Sequence, residues 1–560
     1  MNILSFSPYT AIWQHAYPEA VTLEPLRDIG KLTYLYCDGI FFDYCVAMSA
    51  YGIKPQDDKE KKIEVCRKCK NNLKIIKRHF DYEFIAIESL LDSDDYESIK
   101  IYRDNISPSD FDKFELGGLA IGKMATYEVL LENKKNSLLF DEREWKHYQI
   151  NFYNSLLTYF AIKKLYSTTH YDRVLMYNTL YATNNTVYSF AKLNGSVVYC
   201  MHAGMNWHNR LQTMIITKDT TFFYEEEVSR QWPKYKNHVV SADGIRLIGE
   251  HFSSIVKSAT VFNYSASYSK NFDIRGFFGI SKEQKILVAS MSSYDERFAY
   301  GFVGQLRSPE PKIFKTQMDW IEWLIDYFAD KDEIFLIIRV HPREFPNRRM
   351  PIMSDNAKKM MEIFTKLPNN IKVNWPDDNI SIYSLAKESD VLLNAHSSAA
   401  LDFMLLGAPV VIYDMDIQTF PADLFYFGGY TEIGYVEAIN RAINDGRSFE
   451  NTRKVFRWMN VKLNLAQFNL SDTVWISERR EKNIFKKIVN KIINKYFWTL
   501  GANLKCFFRK KSFVESVNIK NIVLGGHNTK LDVVNYEYIS SERLLNNEEE
   551  SIKEVIKSVL

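Results

Sequence analysis

The stretch VLLNAHSSAALDFMLLGAPVVIYD, residues 391–414, decides the fold. VLLNA is a short apolar run too brief for a helix, AALDFMLL has helical spacing, and Gly407-Ala408-Pro409 stops that helix and releases a second apolar run, VVIYD. Strand, helix and strand in that order, with both strands apolar throughout, describe a parallel sheet buried on both faces. Reading back toward the N-terminus, KILVASMSS (285–293), FLIIRVHPRE (335–344) and IKVNWP (371–376) repeat the pattern at helix-length intervals. The second half of the chain is therefore expected to be a doubly wound α/β domain.

The first half carries a weaker version of the same signal. Its opening strand is followed by a loop around His15 and a second apolar run, Leu32 to Tyr36, which ends at Cys37-Asp38-Gly39. RVLMYN (173–178), the helix-like TNNTVYSFAKL, the stop at Asn194-Gly195 and SVVYCMHAG form a compact βαβ unit. Between them, residues 60–165 are rich in Lys, Glu and Tyr, and the spacing of Trp145, Tyr148, Phe152 and Leu156 predicts a mostly helical insertion. The expected organisation is a Rossmann-like domain over 1–260, a second over 261–475, a basic amphipathic helix over 480–512 and a tail over 513–560.

Length supports two domains, since a single hydrophobic core stops growing at roughly 250 to 300 residues and this chain has 560. The net charge of +2 leaves no global field that would favour nucleic acid, so no nucleic-acid partner is expected. The start, MNILSFSPYT, has neither a basic leader nor an unbroken apolar run, and no segment has the roughly 18 apolar residues of a membrane span. The expectation is a cytoplasmic chain whose membrane contact, if any, is peripheral.

Ligands of doubly wound sheets bind beyond the carboxyl ends of the strands, so the polar residues that follow each apolar run are the ones to inspect. In the second half these are Ser290, Ser292 and Ser293; His341, Arg343 and Glu344; and His396, Ser397 and Ser398, with Asp402 in the helix that follows. Serine hydroxyls and free N–H groups at a helix start suit a diphosphate, an Arg fork and an imidazole can hold phosphate oxygens, and a carboxylate four residues on can accept from ribose hydroxyls. Each also has a plainer reading: Ser397 as a cap, Asp402 as a solvated side chain, His341 as a strand-end histidine before a proline.

RVHPRE and HSSAALDFMLLGAPVVIYD, in that order, resemble the C-terminal domain of GT-B transferases that build bacterial capsules and lipopolysaccharide, and of teichoic-acid glycerophosphotransferases. They are similar, more loosely, to sugar-nucleotide 2-epimerases. The resemblance spans roughly residues 285–420. It implies two Rossmann-like domains facing a cleft, with His341, Ser397, Ser398 and Asp402 gripping an activated-sugar nucleotide. Where the epimerase pattern has Gly-rich residues and a glutamate, this chain has Ser397-Ser398-Ala399-Ala400 and Asp402, which favours transfer over epimerisation. A non-catalytic scaffold of polysaccharide assembly is the alternative outside enzymes.

For the base that an inverting transfer needs, the strand end CMHAG offers His202, resembling a His-Gly found on the acceptor side of such transferases, with Ala203 intervening before Gly204. His15 could take that role instead, leaving His202 to bind phosphate; Asp38 and Asp43 compete on neighbouring strand ends. Asp414 and Asp416, in YDMD, are the pair that could clamp a divalent cation, and a loop acid pair is the favoured reading. No cofactor is called for: the nucleotide sugar, linked through CMP, CDP, UDP or GDP, is a substrate. Cys37, Cys45, Cys66 and Cys69 could form a tetrahedral thiolate site, although plain thiols are the first expectation because the Cys37–Cys45 spacing is wide for zinc.

From Lys482 to Lys511 apolar residues recur at helical spacing, nine Lys or Arg accompany them, and no acid interrupts. Such a helix suits an anionic membrane interface and an acceptor held on a lipid carrier at the inner leaflet, or else packs on its own protein. The tail ending NNEEESIKEVIKSVL is expected to be a separate helix or partly disordered.

Overall fold

The computed structural model describes residues 1–258, 264–306, 311–347, 350–473, 498–507, 513–536 and 541–560. Two sheets organise them. The first holds β1 (Asn2–Phe6), β2 (Lys31–Tyr36), β3 (Glu83–Ala86), β4 (Arg173–Tyr177), β5 (Val197–Ala203), β6 (Thr213–Lys218) and β12 (Phe468–Asn469), in the order β12-β6-β5-β4-β1-β2-β3. The second holds β7 (Lys285–Ser290), β8 (Ile334–Arg339), β9 (Ile371–Asn374), β10 (Val391–Asn394) and β11 (Val410–Ile412), in the order β11-β10-β7-β8-β9 and parallel throughout.

Both sheets carry helices on both faces, because their strands are apolar on both. Val174 and Met176 of β4 face one hydrophobic layer while Leu175 between them faces the other. In the second sheet Ile286 and Val288 point to one layer and Leu287 and Ala289 to the opposite one. The two doubly wound domains expected from the alternating apolar runs are present, with an antiparallel edge: β6 runs against β5, and β12 against β6.

The turn after the decisive helix Ala399–Leu405 depends on Gly407. Its φ of 80° is a left-handed conformation open to glycine, and a Cβ there would sit 2.8 Å from the Ser448 carbonyl oxygen.

One boundary differs from the sequence reading. The expected domain end at 475 assigns Phe468–Asn469 to the second domain, whereas the chain has already returned to the first sheet as β12. The insertion between β2 and β4 is helical, with Lys59–His79, Ser93–Asn105 and Glu142–Thr168, the last started by a capping box of Asp141 and Glu144. It also supplies β3, a four-residue edge strand too short to show a period.

The tail is integral to the fold. Helix Ser516–Gly525 packs on the first sheet, where Tyr199 and Arg173 donate to the carbonyls of Ile522 and Val523 at 2.9 and 2.8 Å. Helix Glu542–Val559 buries Glu548, which accepts from Arg457 at 2.8 and 3.1 Å and from the Val240 amide at 2.8 Å. Of the basic amphipathic stretch, residues 474–497 and 508–512 lie outside the described residues; 498–507 form a helix. Among the described residues no helix is long and apolar enough to cross a membrane.

Candidate functional site

Four adjacent strands of the second sheet end on a polar side chain in mutual register. Asn394 of β10 pairs with Ser290 of β7, Ser290 with Arg339 of β8, and Arg339 with Asn374 of β9. All four are at least nine-tenths buried, so the carboxyl edge of an otherwise hydrocarbon sheet carries a row of hydrogen-bonding groups.

Directly above this row lies a cavity of about 170 Å³. Ser290, His341, Ser397, Ser398 and Asp402 line it together with Arg339, and Trp207, from the loop between β5 and β6 of the first sheet, closes one side. Five of the seven sequence-nominated donor residues are thus brought into one cavity between the two halves of the chain. Ser398 opens the helix Ala399–Leu405 without a capping side-chain bond, while the Ser397 hydroxyl accepts from the Ala399 amide at 3.2 Å.

Two nominated residues point elsewhere. Ser292 Oγ accepts from the His396 amide at 3.3 Å and its own amide donates to Gln317, so it braces the loop beneath the cavity. Arg343 is a larger correction. Its guanidinium is 4% exposed, donates to Asp295 Oδ2 at 2.7 Å and to the Leu131 carbonyl at 3.0 Å, and so ties the second domain to the helical insertion of the first. Proline at 342 turns the chain into a short 3-10 turn, which swings residue 343 away from the cavity that His341 enters.

Arg339 is the residue the sequence reading missed. Its side chain donates to Asn374 Oδ1 at 2.5 Å and to the Ile380 carbonyl at 3.2 Å, and approaches Ser265 Oγ at 3.5 Å. These partners are all neutral, and among the described residues it forms no ion pair. Burial draws its pKa down to about 10, although the more distant Asp402 and Asp378 oppose the shift. The guanidinium remains charged and buried, and among the described residues no carboxylate lies within ion-pair distance of it. The signal was available: a cation as the last residue of an apolar central strand has to be buried.

The other titratable groups of the cavity are neutral or poised. Burial first, then the neighbouring Arg343, Arg339 and Lys134, hold His341 down to about 3, and its Nδ1 accepts from the Arg343 amide at 3.2 Å. Burial raises Asp402 to about 7 against the opposing pull of the Tyr383 hydroxyl and Arg339. Around the Arg339 guanidinium, the cavity therefore offers hydroxyls, a neutral imidazole and a carboxyl that can stay protonated.

At the carboxyl edge of the first sheet, His15 and His202 converge on one ring. His15 stacks on Tyr177 at 3.7 Å between centroids and His202 at 5.4 Å. Burial, then His202 and Arg210, lowers His15 to about 3, and burial, then Arg210, lowers His202 to about 4 against its bond with the Ala203 carbonyl, so both imidazoles are neutral at pH 7. Beside them Asn178 takes φ 66°, a left-handed conformation held by its side chain accepting from the Leu180 amide. Asp38 and Asp43 are exposed, and Asp38 pairs with Lys70 at 3.3 Å.

Asp414 and Asp416 are used within their loop. Asp414 accepts from the amides of Lys312 and Asp416, and Asp416 pairs with the Lys312 ammonium at 2.7 Å. Among the described residues no cluster of three or more His, Cys, Asp or Glu side chains is arranged for a metal. Cys37, Cys45, Cys66 and Cys69 are free thiols; burial pushes Cys45 up to about 12 and Cys69 to about 11, against thiolate formation.

No protein family and no curated protein matches the sequence. Solved structures with a similar arrangement include Thermosulfurimonas dismutans KpsC, a beta Kdo 2,4 transferase, at 9% identity and TM-score 0.29, over 51% of this chain and 79% of that one. They also include the UDP-GlcNAc 2-epimerase of Neisseria meningitidis bound to UDP-GlcNAc, at 12% and 0.25 over 88% and 100% of the two chains. The glycosyltransferase SnogD of Streptomyces nogalater gives 8% and 0.23 over 82% and 94%. Superpositions this loose do not bear on function, so the reading below rests on the residues of the cavity.

Proposed function

We propose that the chain is a glycosyltransferase that moves a sugar from a nucleotide-activated donor to a bacterial surface polysaccharide, the acceptor being carried on lipid. The observation that supports this reading is Arg339. A buried guanidinium with only neutral partners costs folding free energy unless an anion completes it, and the surrounding hydroxyls of Ser290, Ser397 and Ser398 suit phosphate oxygens.

In the proposed reaction the acceptor oxygen attacks the anomeric carbon of the donor, and the bond from that carbon to the phosphate oxygen breaks. The electron pair leaves with the nucleotide phosphate, whose growing negative charge Arg339 stabilises. The acceptor proton passes to a neutral imidazole, His202 or His15, on the facing domain. In this scheme Arg339 supplies the positive charge at the leaving group, and no metal ion is required. Trp207 brings the facing domain to the rim of the donor cavity, which is the geometry in which domain closure would join donor and acceptor.

The test is a donor screen with product analysis. Incubation with UDP-, CDP-, GDP- and CMP-sugars and a lipid-linked oligosaccharide should yield an extended acceptor and free nucleotide. A new free sugar nucleotide or its hydrolysed sugar, formed without acceptor, would instead mark an epimerase.

A further inference from the structure

A second cavity, of about 630 Å³, opens where the helical insertion of the first domain meets the second domain, and it shares no wall residue with the cavity above the second sheet. Its volume falls within the roughly 300 to 1,000 Å³ of small-molecule sites, which favour such domain junctions. Residues 54–56 and the stretch 132–147 supply the first-domain walls, and the stretch 351–358 supplies the facing one.

The walls are fixed in place. Lys134, fully buried, reaches across the junction and donates to the Phe345 and Ile352 carbonyls at 2.8 and 2.6 Å, while its neighbours Asn133 and Lys135 both line the cavity. Lys135 pairs with Glu144 at 3.1 Å, both side chains largely buried, and Glu144 in turn accepts from the Asp141 amide in the capping box that starts helix Glu142–Thr168.

Charge does not select an ion here. Four cations and four carboxylates line the cavity, and three pairs are spent on one another: Lys135 with Glu144, Arg143 with Asp141 at 3.5 Å, and Lys358 with Asp355 at 3.6 Å. Beside them stand the side-chain amides of Gln56 and Asn133 and the hydrocarbon of Leu139, Phe140 and Ile352, with Leu139 exposed at the rim. An uncharged, hydroxyl-rich ring meets both kinds of wall, since its hydroxyls pair with amides and carboxylates and its C–H faces cover the hydrocarbon. A bound peptide calls for a strand edge or an apolar groove. None of these wall residues belongs to a strand, and most are polar.

One wall residue is incomplete without a ligand. His147 is only 4% exposed, packs edge to face on Tyr44 at 5.0 Å and places its Nδ1 4.0 Å from Glu132 Oε2, yet among the described residues its Nε2 has no hydrogen-bond partner. A buried ring nitrogen left unpaired costs stability. A sugar hydroxyl both donates and accepts, so it can complete the imidazole in either tautomer.

We propose that this cavity binds an uncharged oligosaccharide, holding a stretch of glycan at the junction of the two domains. That the glycan is the acceptor of transfer rests on the function proposed above; the binding itself rests on the cavity.

The test is an array of bacterial surface oligosaccharides, neutral and acidic and of graded length, with a peptide library beside them, probed with the full chain and followed by calorimetric titration of whatever is retained. The wild type is expected to retain neutral oligosaccharides, more tightly as they lengthen. Gln56→Ala/Leu139→Ala should bind them at least about tenfold more weakly at an unchanged melting temperature, because both side chains are exposed. His147→Phe, which keeps an aromatic ring and removes its nitrogens, should lose about tenfold as well. A wild type that retains no glycan, that retains only acidic ones, or that takes peptides instead overturns the proposal, as does either variant binding as the wild type does. Failure of the donor reading would show separately, as wild-type protein that binds glycan and no nucleotide.

Discussion

The Tyr383 hydroxyl donates to Asp402 Oδ1 at 2.5 Å, which fixes a carboxyl on the wall of the cavity above the second sheet, within reach of the field of Arg339. The pair explains why a residue that looks like a solvated helix side chain in the sequence is oriented and poised. It also makes the cavity sensitive to pH.

Asp402 titrates near 7 in the folded chain and near its ordinary 3.8 when unfolded, so between those values the folded state holds the extra proton. Its contribution to stability is complete below about pH 4 and is lost as pH rises through about 7. Buried Glu19, Glu128 and Glu344 shift in the same direction, so the difference between two proteins isolates Asp402. Asp402→Asn should show a shallower loss of melting temperature from pH 5 to about 7.5 than the wild type. Parallel curves would remove the assigned shift.

Arg343 should behave as a structural cation. Removing it alone, as Arg343→Met, leaves Asp295 buried and uncompensated and should cost on the order of 3 kcal/mol in urea unfolding. The double variant Arg343→Met/Asp295→Leu should recover much of that loss and bind nucleotide as the wild type does. A double variant that is stable yet fails to bind would return Arg343 to the donor site.

Glu548 ties the last helix to the core through Arg457. Glu548→Ala leaves that guanidinium buried without its partner and should lower stability by about 3 kcal/mol, whereas Glu549→Ala, at the rim, should change it far less. Equal effects from the two substitutions would mean that the C-terminal helix is not integral to the fold.

On the acceptor side, His202→Ala should reduce transfer by about a hundredfold or more while leaving donor affinity unchanged. Because burial holds both candidate imidazoles at about 4 or below, the rate should show no histidine inflection between pH 6 and 8. If His15→Ala produces the loss and His202→Ala does not, the base is His15.

How much of this was legible in the sequence follows from where each residue sits. The second sheet was readable strand by strand because its strands are apolar on both faces and end abruptly on polar residues, and the same endings nominated Ser290, His341, Ser397, Ser398 and Asp402. Arg339 was overlooked because a cation closing an apolar strand was taken for the beginning of the polar loop. Arg343 was misplaced because neither its partner, Asp295, 48 residues away, nor the turn at Pro342 can be read from local spacing. β12 and the tail helices escaped for the same reason: they are held by contacts with residues hundreds of positions earlier, such as Phe468 with Met214 and Tyr199 with Ile522.

The most direct measurement is calorimetric titration of the wild type and of Arg339→Met with UDP, CDP, GDP and CMP. The account predicts that the wild type binds one of these with clear preference. It predicts that Arg339→Met loses on the order of a hundredfold or more in affinity while remaining folded. Wild-type protein that binds none of the four, or Arg339→Met binding with undiminished affinity, would contradict the claim that this cavity holds the phosphates of an activated sugar.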